Sequence, residues 1–395
     1  MGAITAAEGG AKSVFIFELM SHTLEKVRIS GGGRCNVTHA CWDPKDLVPN
    51  YPRGEVPLIG AFSRFATGDA LAWFEDRGLE LISEEDGRIF PKSNSSKDVI
   101  KCLHDSAKRA GVICSTQMKV ENIDSLGQTG FRLKFNDGSV IYSKKVLIAT
   151  GGHPSGKKLA FKLGHEIIPS APSLFGFKID SHSLGDCAGI SVDKVQLKLL
   201  CGKRLFKEEG RVLITHKGLS GPGIFRLSAF AARDLYDKKY KALLEINWVN
   251  QTHDSMKRLF EAYRRDYPKN TLFNNHPFQS IPKRMWVSFL HQINLLPSKR
   301  WSSFSKLEEK RLTENLIKKE YRIFAKGPFG EEFVTAGGVN LEQVNMKSME
   351  SRLCKGLYFA GEVLDIDGVT GGFNFQHCWT SGWIAGEEIA KSLLI

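Results

Sequence analysis

The 395-residue sequence has no run approaching the ~20 apolar residues that would cross a bilayer, and its first residues lack the apolar core of a secretory signal. The expectation is a soluble intracellular protein with no membrane partner, cytoplasmic by default and organellar if a transit peptide precedes Met1. Its eight cysteines (35, 41, 102, 114, 187, 201, 354 and 378) never form a CxxC pair. That spacing argues against a zinc ribbon, a thioredoxin-like site and a disulfide framework, so free thiols and no metal centre are expected. GxSxG, HExxH and P-loop motifs are all absent, and His165 and His216 stand alone. Nothing resembles a hydrolase site, and the lone histidines read as surface or satisfied core residues. There is no internal repeat and no low-complexity tract.

What is present is an ordinary globular composition, 42% hydrophobic and 25% charged, which excludes disorder, collagen and coiled coil. The 38 glycines fall in clusters without a period. Such clusters point to close backbone approach by a ligand. The formal charge is +12, and residues 251–330, with 16 basic and 7 acidic side chains, carry +9 of it. These bases come as short pairs (Lys257-Arg258, Arg264-Arg265, Lys283-Arg284, Lys318-Lys319) between apolar residues. That pattern favours solvated helix faces over a nucleic-acid site.

Along the chain, Val14–Phe17 is an apolar run ending in Glu18, which reads as a buried parallel strand with an acidic tip. Leu71–Arg77 and Val99–Ala110 have helical spacing. Phe131–Phe135 alternates and meets an Asp137-Gly138 turn, and Val146–Ile148 leads into Ala149-Thr150-Gly151-Gly152. From about 185 the pattern becomes short strands with Gly/Ser/Pro turns, and from 254 to 320 it becomes helix formers broken by prolines. The expected organisation is an α/β domain from 1–184 and 336–395, a β-barrel-like insert at 185–253 that 321–335 could close, and a helical subdomain at 254–320.

An acid at a strand tip can accept hydrogen bonds from a ribose, although Glu18 alone is weak evidence. Ser30-Gly31-Gly32-Gly33-Arg34-Cys35-Asn36-Val37-Thr38 is more specific: the glycines let backbone pass a flat or phosphorylated ligand, and Arg34, Asn36 and Thr38 supply a cation and short hydrogen bonds. The strongest constellation is Gly356–Asp365 followed by Gly371-Gly372-Phe373-Asn374-Phe375-Gln376. Here a strand delivers acids to a polyol or phosphate edge, and a glycine pair opens a helix whose N-terminus can face a diphosphate or a ring carbonyl.

Together with Gly87–Pro91, Gly164-His165, Gly218–Pro222 and Thr335–Val339, these stretches resemble the BaiN-type flavoprotein reductases, within the two-dinucleotide-binding-domain class. The resemblance covers nearly the whole chain. It implies a Rossmann-like FAD-binding domain built from both chain ends, with an inserted β-barrel and a helical subdomain. By that resemblance Glu18 holds the adenosine ribose, and Lys26, Arg34, Cys35 and Asn36 line the isoalloxazine or diphosphate region. Val120 meets adenine through its backbone, and Ala149, Thr150 and Gly151 flank the diphosphate. Gly361, Glu362 and Asp365 reach the ribityl-phosphate edge, while Gly372, Phe373, Asn374 and Gln376 face the ring. The implied activity is FAD-dependent hydride transfer to a small molecule, with NAD(P)H as electron donor; the flavin does the hard chemistry, so no acid–base triad is required.

One departure stands out. The class opens with a strand and GxGxxG about 30 residues before the acidic tip, whereas only 17 residues precede Glu18, and Gly9-Gly10 stand too close to the second strand to be that loop. The expectation is an N-terminally shortened form with a central strand position unfilled, weak or absent FAD binding and poor folding. A second departure is the short link of residues 153–163 between the Ala149–Gly152 turn and Gly164-His165. Two alternatives follow: a cofactor-free remnant or interaction protein that binds nucleic acid through the basic insert, and a flavoprotein that modifies RNA.

Overall fold

The computed structural model describes residues 1–180, 184–327 and 334–394. They form two compact units, Met1–Ser170 with Thr335–Ile395, and Ala171–Val334.

The first unit is α/β. Strand Phe15–Phe17 runs parallel to Ile113–Ser115, and Val146–Ile148 runs parallel to Leu357–Phe359, which continues antiparallel into Glu350–Ser351 and Val344–Asn345. Each parallel pair has an open edge. Glu18 N–H donates to Ser115 O and Ile113 N–H to Val14 O, so alternation turns the backbone groups of Phe15 and Phe17 the other way. By the same rule Leu147 faces away from Leu357–Phe359, because Val146 N–H donates to Gly356 O and Ala360 N–H to Ile148 O. No strand pairs with either edge among the described residues. Parallel strands are normally covered on both faces, yet Phe15 is 44% and Ile113 51% exposed.

A three-stranded meander, Val120–Ser125, Phe131–Phe135 and Val140–Ser143, buries Phe131, Leu133 and Phe135 on one face, as period-2 alternation requires. The Phe135 ring lies 4.7 Å from Phe17, and Phe131 approaches Gly356 just ahead of Leu357–Phe359. Helix Gly2–Glu8 packs along the closing helix Phe373–Leu394 at van der Waals contact of backbones. A Cβ on Gly386 would stand 2.4 Å from the Gly2 carbonyl oxygen, so glycine is what permits that approach. Helix Ser96–Arg109 begins where Ser95 Oγ accepts from Lys97 N–H and buries Val99, Cys102, Leu103 and Ser106, the 3.6-residue stripe. That stripe packs with Trp73, Phe74 and Trp379.

The second unit holds a closed six-stranded barrel in the order Phe177–Ile179, Gly218–Ser220, Arg204–Thr215, Ser191–Cys201, Ala242–Asn247, Lys319–Lys326. Strand Ser191–Cys201 points Val192, Val195, Leu197, Leu199 and Cys201 inward, with a bulge between Val192 and Val195 that keeps the apolar set on the core face. Lys319–Lys326 closes the barrel against Phe177–Ile179; of the stretch 321–335, residues 328–333 lie outside the described residues. Helices His253–Asp266, Lys283–Gln292 and Lys306–Ile317 share a core with the barrel through Trp248, Phe260, Trp286 and Trp301. Buried Trp286 donates to Leu272 O at 2.7 Å and Trp301 to Asn275 O at 3.1 Å, which satisfies both indoles.

Candidate functional site

The two glycine constellations, at opposite ends of the sequence, meet in the first unit. Thr38 Oγ1 donates to Gln376 Oε1 at 2.6 Å, and a Cβ on Gly372 (φ 95°) would lie 2.5 Å from Thr38 O. The first turn of the closing helix is therefore seated on the strand Thr38–His39 with no room for a side chain. The Asn374 amide accepts from Gly368 N–H at 2.8 Å and donates to Gly368 O at 2.9 Å, closing the loop ahead of the helix. Gln376 donates in turn to Thr380 Oγ1 at 3.1 Å, so its side chain ties the strand to the helix. Phe373 is buried, and its carbonyl accepts from Tyr51 Oη at 2.7 Å.

Around Ser30–Gly33 the backbone is left-handed at Gly31, Gly32 and Gly33, and the positions a Cβ would occupy on Gly32 and Gly33 meet nothing within 4 Å. Cys35 is fully buried, and burial pushes its thiol up to about 11. Asn36 Oδ1 is buried without a partner among the described residues. Arg34 turns toward the hairpin Leu81–Pro91: its guanidinium donates to Glu84 at 2.5 Å and Asn94 at 2.8 Å and lies 3.9 Å above the Phe90 ring.

Glu362 meets the other glycine turn. Its carboxylate comes within 3.6 Å of the place a Gly151 Cβ would take and accepts from Gly152 N–H; burial raises its pKa, while the charges of exposed Lys26 and of Lys157 act against that rise. Gly361 donates to Ser381 Oγ at 2.9 Å and is left-handed (φ 72°), and Asp365 N–H donates to Val339 O. Ala149 and Thr150 are exposed in the turn that Gly151 completes. At the far end, the Glu18 carboxylate caps its own turn through Met20 N–H at 2.9 Å, and Met118 N–H donates to Glu18 O. Val120 lies two residues on, paired with Phe135, whose ring touches Phe17. The structure thus gathers three groups: Glu18 with Val120; Gly151, Gly361, Glu362 and Lys26; and Asn36 with Gly372–Gln376. Arg34 is committed to Glu84 and Asn94 instead of pointing free.

Several residues escaped the sequence reading. Arg53 pairs bidentately with fully buried Asp367, beside a bridge that also joins their backbones. His39 Nδ1 donates to Gly371 O at 3.0 Å, and its ring stacks 4.7 Å from Phe373. His377 is buried beside the Gly361 backbone, and burial pushes its pKa down to about 4. The only signal available was adjacency, since His39 follows the glycine signature and Asp367 and His377 flank the second one.

These observations fit the ribityl and ring portion of FAD: a glycine cradle at a helix N-terminus, and a buried Asn36 oxygen without a partner among the described residues. Among the described residues no cluster of side chains could hold a metal ion, no helix is long and apolar enough to cross a membrane, and all eight cysteines are free.

The HI0933-like protein Rossmann domain matches residues 1–388. A 3-dehydro-bile acid delta(4,6)-reductase of Clostridium scindens is 28% identical over 413 residues, spanning 99% of this chain and 96% of that protein. A ribosomal RNA dihydrouridine synthase of Escherichia coli K12 is 28% identical over 382 residues, covering 93% of this chain and 90% of its own length. Among solved structures, the 3-ketosteroid-delta4-(5alpha)-dehydrogenase of Rhodococcus jostii RHA1 superposes with a TM-score of 0.47 at 13% identity, over 99% of this chain and 93% of that one. The chain belongs to the HI0933-like Rossmann family.

Proposed function

We propose that the protein is a flavin-dependent reductase that adds hydrogen across a carbon–carbon double bond of a small molecule, with electrons from NAD(P)H. The observation that carries this reading is the cradle at Gly371–Gln376, built on Thr38, two residues along from Asn36, whose side-chain oxygen is buried without a partner among the described residues. The names of the Clostridium and Escherichia relatives support it, since a delta(4,6)-reductase and a dihydrouridine synthase both describe reduction of such a bond.

Bound there, the flavin would supply the hydride. The chain's own residues would bind and orient it. Asn36 and the amides opening the helix at Phe373 would hold the ring edge, and Cys35, Gly372, Asn374 and Gln376 would keep that wall rigid. Gly361, Glu362, Asp365 and Lys26 would face the ribityl-phosphate edge, Ala149, Thr150 and Gly151 the phosphates, and Glu18 with Val120 the adenosine. Arg34, engaged by Glu84, would set the position of the glycine loop. Raised by burial, the Glu362 carboxyl can carry a proton and so donate as well as accept a hydrogen bond.

The test is to purify the full chain, record its visible spectrum with and without added FAD, and titrate anaerobically with NADH and NADPH. Saturable flavin binding that NAD(P)H bleaches, and that a 3-oxo-4,6-diene steroid reoxidises, is the expected result. A folded protein that takes up no flavin at saturating FAD would refute the proposal.

A further inference from the structure

The outer wall of the barrel in the second unit carries apolar side chains at one end. Strand Ser191–Cys201 turns Val195, Leu197, Leu199 and Cys201 inward, so Lys198 and Leu200 face out, and the ladder passes that parity to the neighbouring strands. Leu200 pairs with Leu205 on one side and with Leu243 on the other, and Leu243 pairs with Arg322, which makes one outward row across four strands. At about 4.8 Å per strand that row is roughly 14 Å wide. One step nearer the barrel's end, the same register sets Lys241 opposite Phe324, with the hairpin tip Gly202-Lys203 alongside. Leu200 is 43% exposed, and Leu205 and Phe324 are 54% exposed.

Cations ring this apolar row. Lys207 lies behind it, opposite Lys198, whose own charge is met by Glu245 at 2.8 Å. Lys203, Lys207, Lys241 and Arg322 are exposed and make no ion pair among the described residues. The turn Lys238–Lys241 stands beside the hairpin tip, since Lys238 Cε lies 3.2 Å from the place a Gly202 Cβ would take. Against these bases stand Glu320, paired across the ladder with Glu245, and exposed Asp237. Three features select what such a face can meet. The outer wall of a closed barrel is convex and offers no groove to a peptide. Two copies meeting face to face would set the same unpaired cations against each other. A bilayer with anionic headgroups supplies both complements: negative charge at its surface and hydrocarbon just beneath, with lysine stems lying along the apolar side chains while their ammonium groups reach the headgroups.

We propose that this end of the barrel docks on an anionic lipid bilayer, with Leu200, Leu205 and Phe324 in the headgroup–acyl boundary and Lys203, Lys207, Lys241 and Arg322 on the headgroups. The lack of a spanning run has no bearing on this contact, because a face that lies on a bilayer needs none. It does not depend on flavin chemistry, so either can fail alone.

The experiment measures sedimentation of the full-length protein with vesicles of phosphatidylcholine alone or with about 30% phosphatidylserine, with flavin content recorded on the same preparation. Binding to the charged vesicles at least about tenfold above the neutral ones is expected, fading as salt shortens the Debye length from about 10 Å to about 3 Å. Each basic side chain near an anionic surface raises affinity about fivefold, so the K203E/K207E/K241E/R322E variant should bind at least about a hundredfold more weakly while melting as the wild type does. Charge reversal at Lys257, Arg258, Lys310 and Arg311, which are exposed on the helices and outside this face, should leave vesicle binding unchanged. The Leu200→Ser, Leu205→Ser, Phe324→Ser triple variant should weaken binding about tenfold or more yet keep the salt dependence. No binding to charged vesicles at low salt, equal binding to neutral ones, an equal loss in both charge-reversed variants, or polyglutamate binding as tightly as vesicles with the apolar triple variant silent, would each overturn the proposal.

Discussion

Replacing Arg53 by methionine tests what holds the second glycine constellation in place. Asp367 has no exposed side-chain surface and Arg53 only 14%, and the two engage bidentately. Taking away the guanidinium leaves a buried carboxylate without its principal countercharge, a loss of about 3–5 kcal/mol. For a unit of this size each kcal/mol moves the melting temperature by roughly 2–4 °C, so the transition of the first unit should fall by about 6–20 °C. The damage should also be local to the cradle, because the same segment supplies Asn50 O to Val369 N–H at 2.8 Å and Tyr51 Oη to Phe373 O. Calorimetry reads the first effect and flavin affinity the second. Replacing both partners by apolar residues, Arg53→Met with Asp367→Leu, removes the stranded charge and should recover much of the stability, as buried pairs replaced by packed apolar groups commonly do. Arg53→Lys keeps the charge but not the fork and should fall between. An Arg53→Met protein that melts within about 1 °C of wild type, or a double variant no better than the single, would refute the argument that this pair is what braces the loop.

Three further outcomes are expected. Gly372→Ala puts a Cβ 2.5 Å from Thr38 O in a left-handed residue, whereas Gly32→Ala meets nothing within 4 Å; urea unfolding should show the first costing at least about 2 kcal/mol more than the second, whose penalty is the left-handed backbone alone, about 1–2 kcal/mol. His377, held neutral by burial with its pKa lowered from 6.5 to about 4, contributes stability that is complete above pH 6.5 and drains away as pH falls toward 4. That loss is about 3 kcal/mol from the shift, and His377→Gln should flatten the stability profile over that window. Glu362 has the opposite sign: its folded pKa lies above the ordinary 4.5, so its contribution is full below 4.5 and falls as pH rises through the raised value. Thermal melts of Glu362→Gln should therefore lack the wild-type decline on the alkaline side of 4.5.

Local chemistry made much of this legible from sequence. Three glycines ahead of Arg34-Cys35-Asn36 and a glycine pair ahead of Phe373 each demand backbone that only glycine supplies, so both motifs could be read without coordinates, and Thr38–Gln376 joins them across the chain. The alternation of Phe131–Phe135 and the helical spacing of Val99–Ala110 were visible through their periods of two and 3.6 residues, while the Ser95 cap that starts the helix at Ser96 was not read. Long-range pairing was not. Nothing near Asp367 in sequence names Arg53, and a single histidine in an apolar helix gives no hint that His377 would be fully buried beside the Gly361 backbone. The same limit governs the charges. Sequence shows Lys257 next to Arg258 and invites the reading of a solvated face, but which cations remain unneutralised depends on where Glu261, Glu308 and Glu309 are drawn. Those acids turn toward Lys306, Lys299 and Arg264 because helix packing brings these side chains within reach. The surplus at Lys257 and Lys310 is thus a property of the fold that no count of residues contains.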